Sequence, residues 1–361
     1  MRILLLSAYD AVSHQYWHNG LVDNFPEFEW TVLSLPARFF SWRIRGNSLT
    51  WAYSERATLE QPYDLLITTS MTDLSALRGL VPALTKLPTL VYFHENQFAY
   101  PTSGKEYSSV EPQLLTIYSA LAADAVVFNT RYNRTTFLEG CRQLLNKFPD
   151  LVPKGLVELL TEKSSTLLVP IITVMSEQTC KSSGPLQIIW NHRWEFDKGP
   201  ELLYQAMMRL KASGIHFTLH VVGQKFRYTP EIFEQLKEDL SEHIGTWGYI
   251  DDKHAYHKLL RQCDVILSTA LHDFQGVSVL EGVSAGCIPL VPNRLAYPEL
   301  FNEDFLYEIG ESEVDNLVNH LLHLSDLKKK ASLPKAPSID HINWTTLKPH
   351  YQTLIDELLK H

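Results

Sequence analysis

Short apolar runs alternate with amphipathic stretches along most of the chain. "RILLLS", "WTVLSL", "DLLITTS", "TLVYFHE" and "DAVVFNT" read as strands. "SHQYWHNGLVDNF", "DLSALRGL", "PQLLTIYSALAA" and "YNRTTFLEGCRQLL" between them read as helices. Apolar runs separated by helices predict a parallel, doubly wound sheet covered on both faces. "TLLVP", residues 166–170, is expected as the last strand of this half. The polar stretch "SEQTCKSSGP", residues 176–185, closes on Gly-Pro and is expected to be a linker.

The alternation then restarts with "LQIIWNH", "HFTLHVVG", "GTWGYI", "DVILSTA" and "CIPLVPN". Thr229-Pro230 is expected to cap and open one helix, and Asp251 to cap the helix after "GYI". The tail "NWTTLKPHYQTLIDELLK" is amphipathic, and residues 325–340 form a loop before it. The expected architecture is α/β: two Rossmann-like halves, 1–178 and 179–340, with a helix in 341–361 returning to the first half and packing back across both. Such halves face each other over a cleft at the carboxyl ends of their strands, where α/β sheets bind ligands.

Length agrees with two cores, since 361 residues exceed what one ordinary core holds. No run reaches the roughly 18 apolar residues of a membrane helix. The opening "MRILLLSAYD" is apolar only from Ile3 to Leu6, which suits a buried strand better than a signal peptide. Cys141, Cys180, Cys263 and Cys287 lie far apart, without metal-ligand spacing, and point to a reducing cytoplasm. The net charge of −9 argues against a chain coated in nucleic acid but leaves room for one local basic patch.

The chemistry concentrates in "STALHDFQGVSVLEGVSAGCIPLV". A buried strand ends in a loop, Gly276 permits close backbone approach, and a helix is expected from about Val277. The free N–H groups of Gly276, Val277 and Ser278 at such a start form an anion site. Glu281 falls one turn in, within reach of a diol beside the anion, and Asp273 precedes it by eight residues. The bland alternative is that Asp273 caps the helix and Glu281 is an acid favoured by the helix dipole. A second piece is "IIWNHRWEFDKGPELL", which puts Arg193 and Lys198 on the loop after a strand. Two cations there would hold a diphosphate and stabilise it as a leaving group. Taken singly, they could equally be solvated surface charges.

These pieces together resemble the donor domain of a family 4 GT-B glycosyltransferase, which retains anomeric configuration. Asp273-x7-Glu281 stands where that family has E-x7-E, with the first acid one methylene shorter. The resemblance implies Arg193 and Lys198 on the diphosphate, Glu281 on the ribose, Asp273 by the donor sugar, and Gly248, Tyr249 and Ile250 by the nucleobase. Gly223, ending "LHVVG", also fits the pattern.

In the first half, "LVYFHENQFAYP" ends a strand in His94, Glu95 and Asn96. Family members often carry a histidine at this strand end, so His94 is expected to orient the sugar and stabilise transition-state charge. A structural histidine is the plainer alternative. Ser13 is expected to cap the helix after the first strand, with His14 facing the phosphates or the acceptor. His14 with His18 and His254 with His257 have helical spacing but no third ligand, so no metal is expected. Asp251-Asp252 and Glu195-x-Asp197 are discounted as metal acids. No GxGxxG follows a strand, and there is no Walker motif.

"LPARFFSWRIRGN", residues 35–47, sets Arg38, Arg43 and Arg45 among Phe39, Phe40 and Trp42 without a clean helical or strand period. It reads as a loop. Arginines neutralise phosphates, and aromatics stack on unpaired bases. Alternatively the aromatics pack the segment down and the arginines pair with the protein's own acids. This stretch, "FHENQFAYP" and "NHRWEFDKGPELL" together resemble the glycosyltransferase-like domain-containing protein 1 family, the tRNA-queuosine alpha-mannosyltransferases, over nearly the whole chain. The resemblance implies GDP-mannose as donor, no metal or other cofactor, and queuosine in the anticodon of aspartate tRNA as acceptor. Ser13, His14, Arg38, Trp42, Arg43, Arg45, Glu95 and Asn96 would then serve the acceptor. The residues alone leave two alternatives: a small-molecule, lipid or glycan acceptor, and an inactive sugar-nucleotide or RNA-binding module.

Overall fold

A computed structural model describes residues 1–100, 109–174, 184–225 and 229–360. The chain divides into two compact units, Met1–Pro170 with Trp344–His361, and Ile171–Asn343. The division falls before the expected boundary at 178/179. The expected linker lies outside the described residues except for Gly184 and Pro185.

The first unit carries six strands: β1 (Arg2–Asp10), β2 (Glu29–Pro36), β3 (Leu65–Thr69), β4 (Thr89–Phe93), β5 (Ala125–Phe128) and β6 (Ser164–Thr166). Their order is β2-β1-β3-β4-β5-β6, and every pairing is parallel. Helices cover both faces, so β3 and β4 are buried along their whole length and read as unbroken apolar runs. The sixth strand ends at Thr166, ahead of the "TLLVP" expected for it; beyond it Leu167 N–H still bonds the Phe128 carbonyl.

The second unit repeats the plan with β7 (Leu186–Asn191), β8 (Phe217–Val222), β9 (Ile244–Gly248), β10 (Val265–Leu267), β11 (Ile288–Pro292) and β12 (Leu306–Tyr307). The order is β12-β11-β10-β7-β8-β9, again all parallel. Each unit closes its own apolar core, around Trp51, Phe93 and Phe137 in the first and Trp190, Leu203 and Phe233 in the second. In each sheet the winding direction reverses once, between β1 and β3 and between β7 and β10. Loops diverge at such a reversal and leave a crevice at the carboxyl ends.

Several local expectations are corrected. Residues 35–47 are not a loop: a helix runs Phe40–Ser54, entered through Phe39 at φ 54°. Its inward face carries Arg43, Asn47 and Ser48, so polar groups erase the apolar period that would betray it. Asn47 earns that position by donating to the Met71 carbonyl and accepting from Asp73 N–H. The helix expected from Thr229-Pro230 starts at Ile232, without a side-chain cap. Asp252, not Asp251, caps Lys253–Gln262 by accepting from His254 N–H. Ser13 is no cap, because the helix Val12–Asn24 has already begun, and its side chain is exposed. The tail helix Trp344–Leu358 belongs to the first unit, the half to which it was expected to return. Tyr351 accepts from Trp17 Nε1 and donates to the Leu168 carbonyl, and Trp344 lies over Gly20. Among the described residues no helix is long and apolar enough to cross a membrane.

Candidate active site

In the second unit, the loops after β7 and β10 are tied together by charge. Lys198 ends a short 3-10 turn and is buried. Its Nζ donates to the His272 carbonyl at 2.6 Å and pairs with Asp197 at 3.4 Å and Asp273 at 3.6 Å. Leu271 and His272 N–H groups bond the Asp197 carbonyl, so the two loops run side by side. Arg193 also pairs with Asp197 at 3.4 Å and with Glu195, yet its side chain keeps 42% exposure. Burial would raise the pKa of Asp273, but Lys198, His192 and His272 outweigh it and hold the acid below 3.8. Asp197 likewise stays ionised, burial being overcome by Lys198 first.

Two glycines let these loops meet. Gly199 stands at φ +63° with the Thr269 carbonyl 2.1 Å from where a Cβ would sit. Gly223, at φ +145°, has the His192 carbonyl only 1.8 Å from that point. Any side chain at either position would collide with main chain.

Asp273 Oδ1 accepts at 2.9 Å from the N–H of Gly276, the residue before the helix Val277–Ser284, whose own first N–H groups have no side-chain cap. The helix start therefore faces a loop pinned to Lys198. Ser278 Oγ donates to the Asn191 carbonyl at 2.8 Å, which joins that helix to the end of β7. One turn on, Glu281 Oε2 accepts from Tyr256 at 3.0 Å. Burial pushes the Glu281 carboxyl up to about 7, against the Tyr256 hydrogen bond and Lys253. Gly248 ends β9 at φ +103°, and its carbonyl accepts from Gly223 N–H. Tyr249 beside it is exposed, and Ile250 is half-buried. The arrangement offers cations and a helix start to an anion, and a carboxylate to hydroxyls.

In the first unit, the loops after β1 and β4 meet in a cluster of titratable groups. His18 Nε2 lies 3.1 Å from Asp10 Oδ1, and His14 Nε2 lies 3.4 Å from Glu95 Oε2. The His14 and His94 rings are 4.3 Å apart, and Trp17 and Tyr92 pack on His94. His94 is buried, and its Nε2 has no hydrogen-bond partner among the described residues. Burial first, then His14 and His18, push its pKa well below 6.5, so it stays a neutral imidazole. Asn96, expected at an acceptor, is fully buried and internally bonded. It donates to Asn133 and Thr136 and accepts from Phe98 and Ala99 N–H groups. Its work is to fold the loop that carries Glu95.

The segment with three arginines divides. Arg43 is turned inward, with Nε donating to the Pro36 carbonyl. Arg45 bridges Asp73 at 3.0 Å and Glu111 at 3.1 Å. Arg38 is exposed, its guanidinium 5.6 Å from the Phe39 ring centre. Phe39 and Trp42 are exposed at 72% and 55%, while Phe40 packs edge-on against Tyr9. The Trp42 ring lies against Gly46, which has no side chain to displace it.

Sequence reading missed Tyr256, Asp197, His192 and His272. The discounted Glu195-x-Asp197 spacing was the one available signal for Asp197. Nothing in the periodicity marks Tyr256, which sits on an ordinary amphipathic helix. His192 is buried beside Lys198 and Asp273, and burial then Lys198 lower its pKa to about 3.

The family model described as tRNA-queuosine alpha-mannosyltransferase N-terminal matches residues 2–171, and that described as Glycosyl transferases group 1 matches residues 173–335. A Drosophila melanogaster protein named tRNA-queuosine alpha-mannosyltransferase is 31% identical over 327 residues, covering 88% of this chain and 86% of its own length. The Anabaena HepE protein in complex with UDP superposes with a TM-score of 0.67 at 13% identity, over 99% of this chain and 100% of its own. The E. coli trehalose-6-phosphate protein bound with UDP-2-fluoro glucose gives 0.67 at 14% identity, over 100% and 99%. At such identities these structures establish the fold, which is GT-B.

Proposed function

The chain belongs to the tRNA-queuosine alpha-mannosyltransferase family, and from there we propose that this glycosyltransferase moves mannose from GDP-mannose to queuosine in the anticodon of aspartate tRNA, in the cytoplasm, with retention. The observation that carries the donor side is the ammonium of Lys198, locked between Asp197 and Asp273 beside a helix start. A preorganised cation next to free N–H groups suits a diphosphate that gains charge as it leaves. In this reading Lys198, Arg193 and the N–H groups of Val277 and Ser278 hold the diphosphate, the Gly276 N–H being taken by Asp273. Glu281 accepts from the ribose hydroxyls, and Gly248, Tyr249 and Ile250 line the base. Side chains and a helix supply the positive charge, and the proposal invokes no metal.

Asp273 is proposed near the transferred sugar, with Oδ1 accepting from Gly276 and Oδ2 meeting Lys198 and the Tyr297 hydroxyl at 3.3 Å. From the first unit, neutral His94 is proposed as the group that orients the sugar, with His14 and Glu95 toward the acceptor. Attack by the acceptor hydroxyl on the face that the diphosphate leaves retains configuration. Trp42 and Phe39, exposed and beside Arg38, are proposed to stack on anticodon-loop bases.

A smaller acceptor is the second reading, favoured by the buried Arg43 and by the pairing of Arg45 with Asp73 and Glu111. A thermal-shift panel of sugar nucleotides, followed by mass analysis of treated tRNA, separates the two. Stabilisation by GDP-mannose and a hexose added to queuosine-containing tRNA support the first. Stabilisation without tRNA product, in any tRNA tested, favours the second.

A further inference from the structure

Tyr256 sits on the helix Lys253–Gln262, and its hydroxyl is the middle of a three-residue chain. Asn191 Nδ2 donates to it, and it donates to Glu281 Oε2 at 3.0 Å. The direction follows from the partners. An amide nitrogen only donates, so it takes a lone pair of the phenol oxygen and the single phenol proton goes to the carboxylate. Asn191 is itself fixed, because it ends β7 and its carbonyl accepts from Ser278 Oγ. Ser278 and Glu281 share one helix. The chain therefore closes on itself and sets where Glu281 stands.

We propose that Tyr256 is a positioning residue for nucleotide binding, one that fixes Glu281 and maintains it as an anionic acceptor for a ribose diol. The inference rests on Glu281 being the ribose contact. With Oε2 held by Tyr256, Oε1 is the oxygen left to meet a ligand. Burial works against this role: even with Tyr256 and Lys253 opposing it, the carboxyl lies at about 7. The groups facing Glu281 that oppose burial are Tyr256 and Lys253, both on the same neighbouring helix. Deleting the phenol proton removes the nearer of them. The carboxyl then takes up a proton already above neutral pH and becomes a poorer acceptor of hydroxyl protons.

Calorimetric titration of the full chain with GDP-mannose, from about pH 6.5 to about pH 9, tests this. The ratio of two affinities at each pH cancels any titration of the ligand. A hydrogen bond to a charged group moves a pKa by about one unit, so Tyr256→Phe should bind about five-fold more weakly at about pH 7. At about pH 9 both forms are ionised and the two should agree within about two-fold. Glu281→Gln should be weak throughout, with no dependence on pH over this range. A loss in Tyr256→Phe that is equal at both ends overturns the inference and leaves Tyr256 a packing residue. Wild-type affinity in Glu281→Gln, or no binding of GDP-mannose by the wild type, overturns the reading beneath it. If circular dichroism shows Tyr256→Phe unfolded, Asn191→Asp replaces it: its carboxylate competes for the phenol proton. A wild-type pH profile in that variant overturns the inference.

Discussion

Lys198 Nζ stands 3.6 Å from Asp273 Oδ2, and Asp273 Oδ1 accepts from the N–H of Gly276, the residue before the helix Val277–Ser284. One ammonium thus ties the loop after β7 to the start of a helix beyond β10. The same contacts give Lys198 a structural part beside its proposed ligand contact, while Arg193 is half in solvent.

The two cations should therefore behave differently. Lys198→Ala strands Asp197 and Asp273 without their shared cation and should lower the stability of the free protein by about 3–5 kcal/mol. Arg193→Ala should leave the unliganded melting temperature near wild type. It should lose about 1.5–3 kcal/mol of GDP-mannose stabilisation, the scale of a hydrogen bond to a charged group. Differential scanning fluorimetry with and without ligand reads both. Equal melting temperatures for the two unliganded variants would contradict the assignment.

His192 carries a prediction about pH and stability. Its folded value, about 3, lies below the ordinary 6.5. The unfolded chain then binds more protons between those values, so this group makes stability fall as pH drops below 6.5. Glu281 acts in the opposite sense between 4.5 and about 7, but it is present in both proteins compared. From about pH 7.5 to about pH 5, His192→Asn should lose about 2 kcal/mol less stability than wild type. Denaturant unfolding at the two pH values measures it, and parallel losses would contradict it.

His94→Ala should keep nucleotide affinity, since the proposed nucleotide contacts belong to the other unit, and lose turnover by about 10²-fold. Comparing kcat with the dissociation constant of GDP-mannose checks this. A matching loss in both would mark His94 as packing for Trp17 and Tyr92.

Gly46 gives an indirect handle on the proposed tRNA surface. A Cβ there would fall 2.3 Å from Trp42 Cε2, and the half-exposed ring can swing aside. Gly46→Ala should raise helix stability by up to about 1 kcal/mol. It should still weaken tRNA binding in the same direction as Trp42→Ala, which removes a stack worth about 1–3 kcal/mol. Filter binding over a salt series reads both variants. Unchanged binding in both would remove base stacking from Trp42 and favour the smaller acceptor.

Both parallel sheets were legible because buried strands and their covering helices have different apolar periods. The Gly276 helix start was legible for a related reason: glycine there interrupts an apolar run at a strand end. The helix Phe40–Ser54 was hidden because Arg43, Asn47 and Ser48 occupy its inward face. Asn96 misled for the opposite reason, since a polar residue at a strand end suggested a ligand but closes its own loop. Tyr256 was out of reach, because its role depends on a hydroxyl meeting Asn191 and Glu281 across three elements. No spacing in the chain records that meeting.

The central claim is tested most directly by the mass of the product. Aspartate tRNA with queuosine and the same tRNA with guanosine at that position are each incubated with the protein and GDP-mannose, and their nucleosides are weighed. The account predicts one hexose added to queuosine, none to the guanosine form, and loss of the product in Arg193→Ala. Unmodified queuosine, with GDP-mannose bound and consumed on another acceptor, would contradict it.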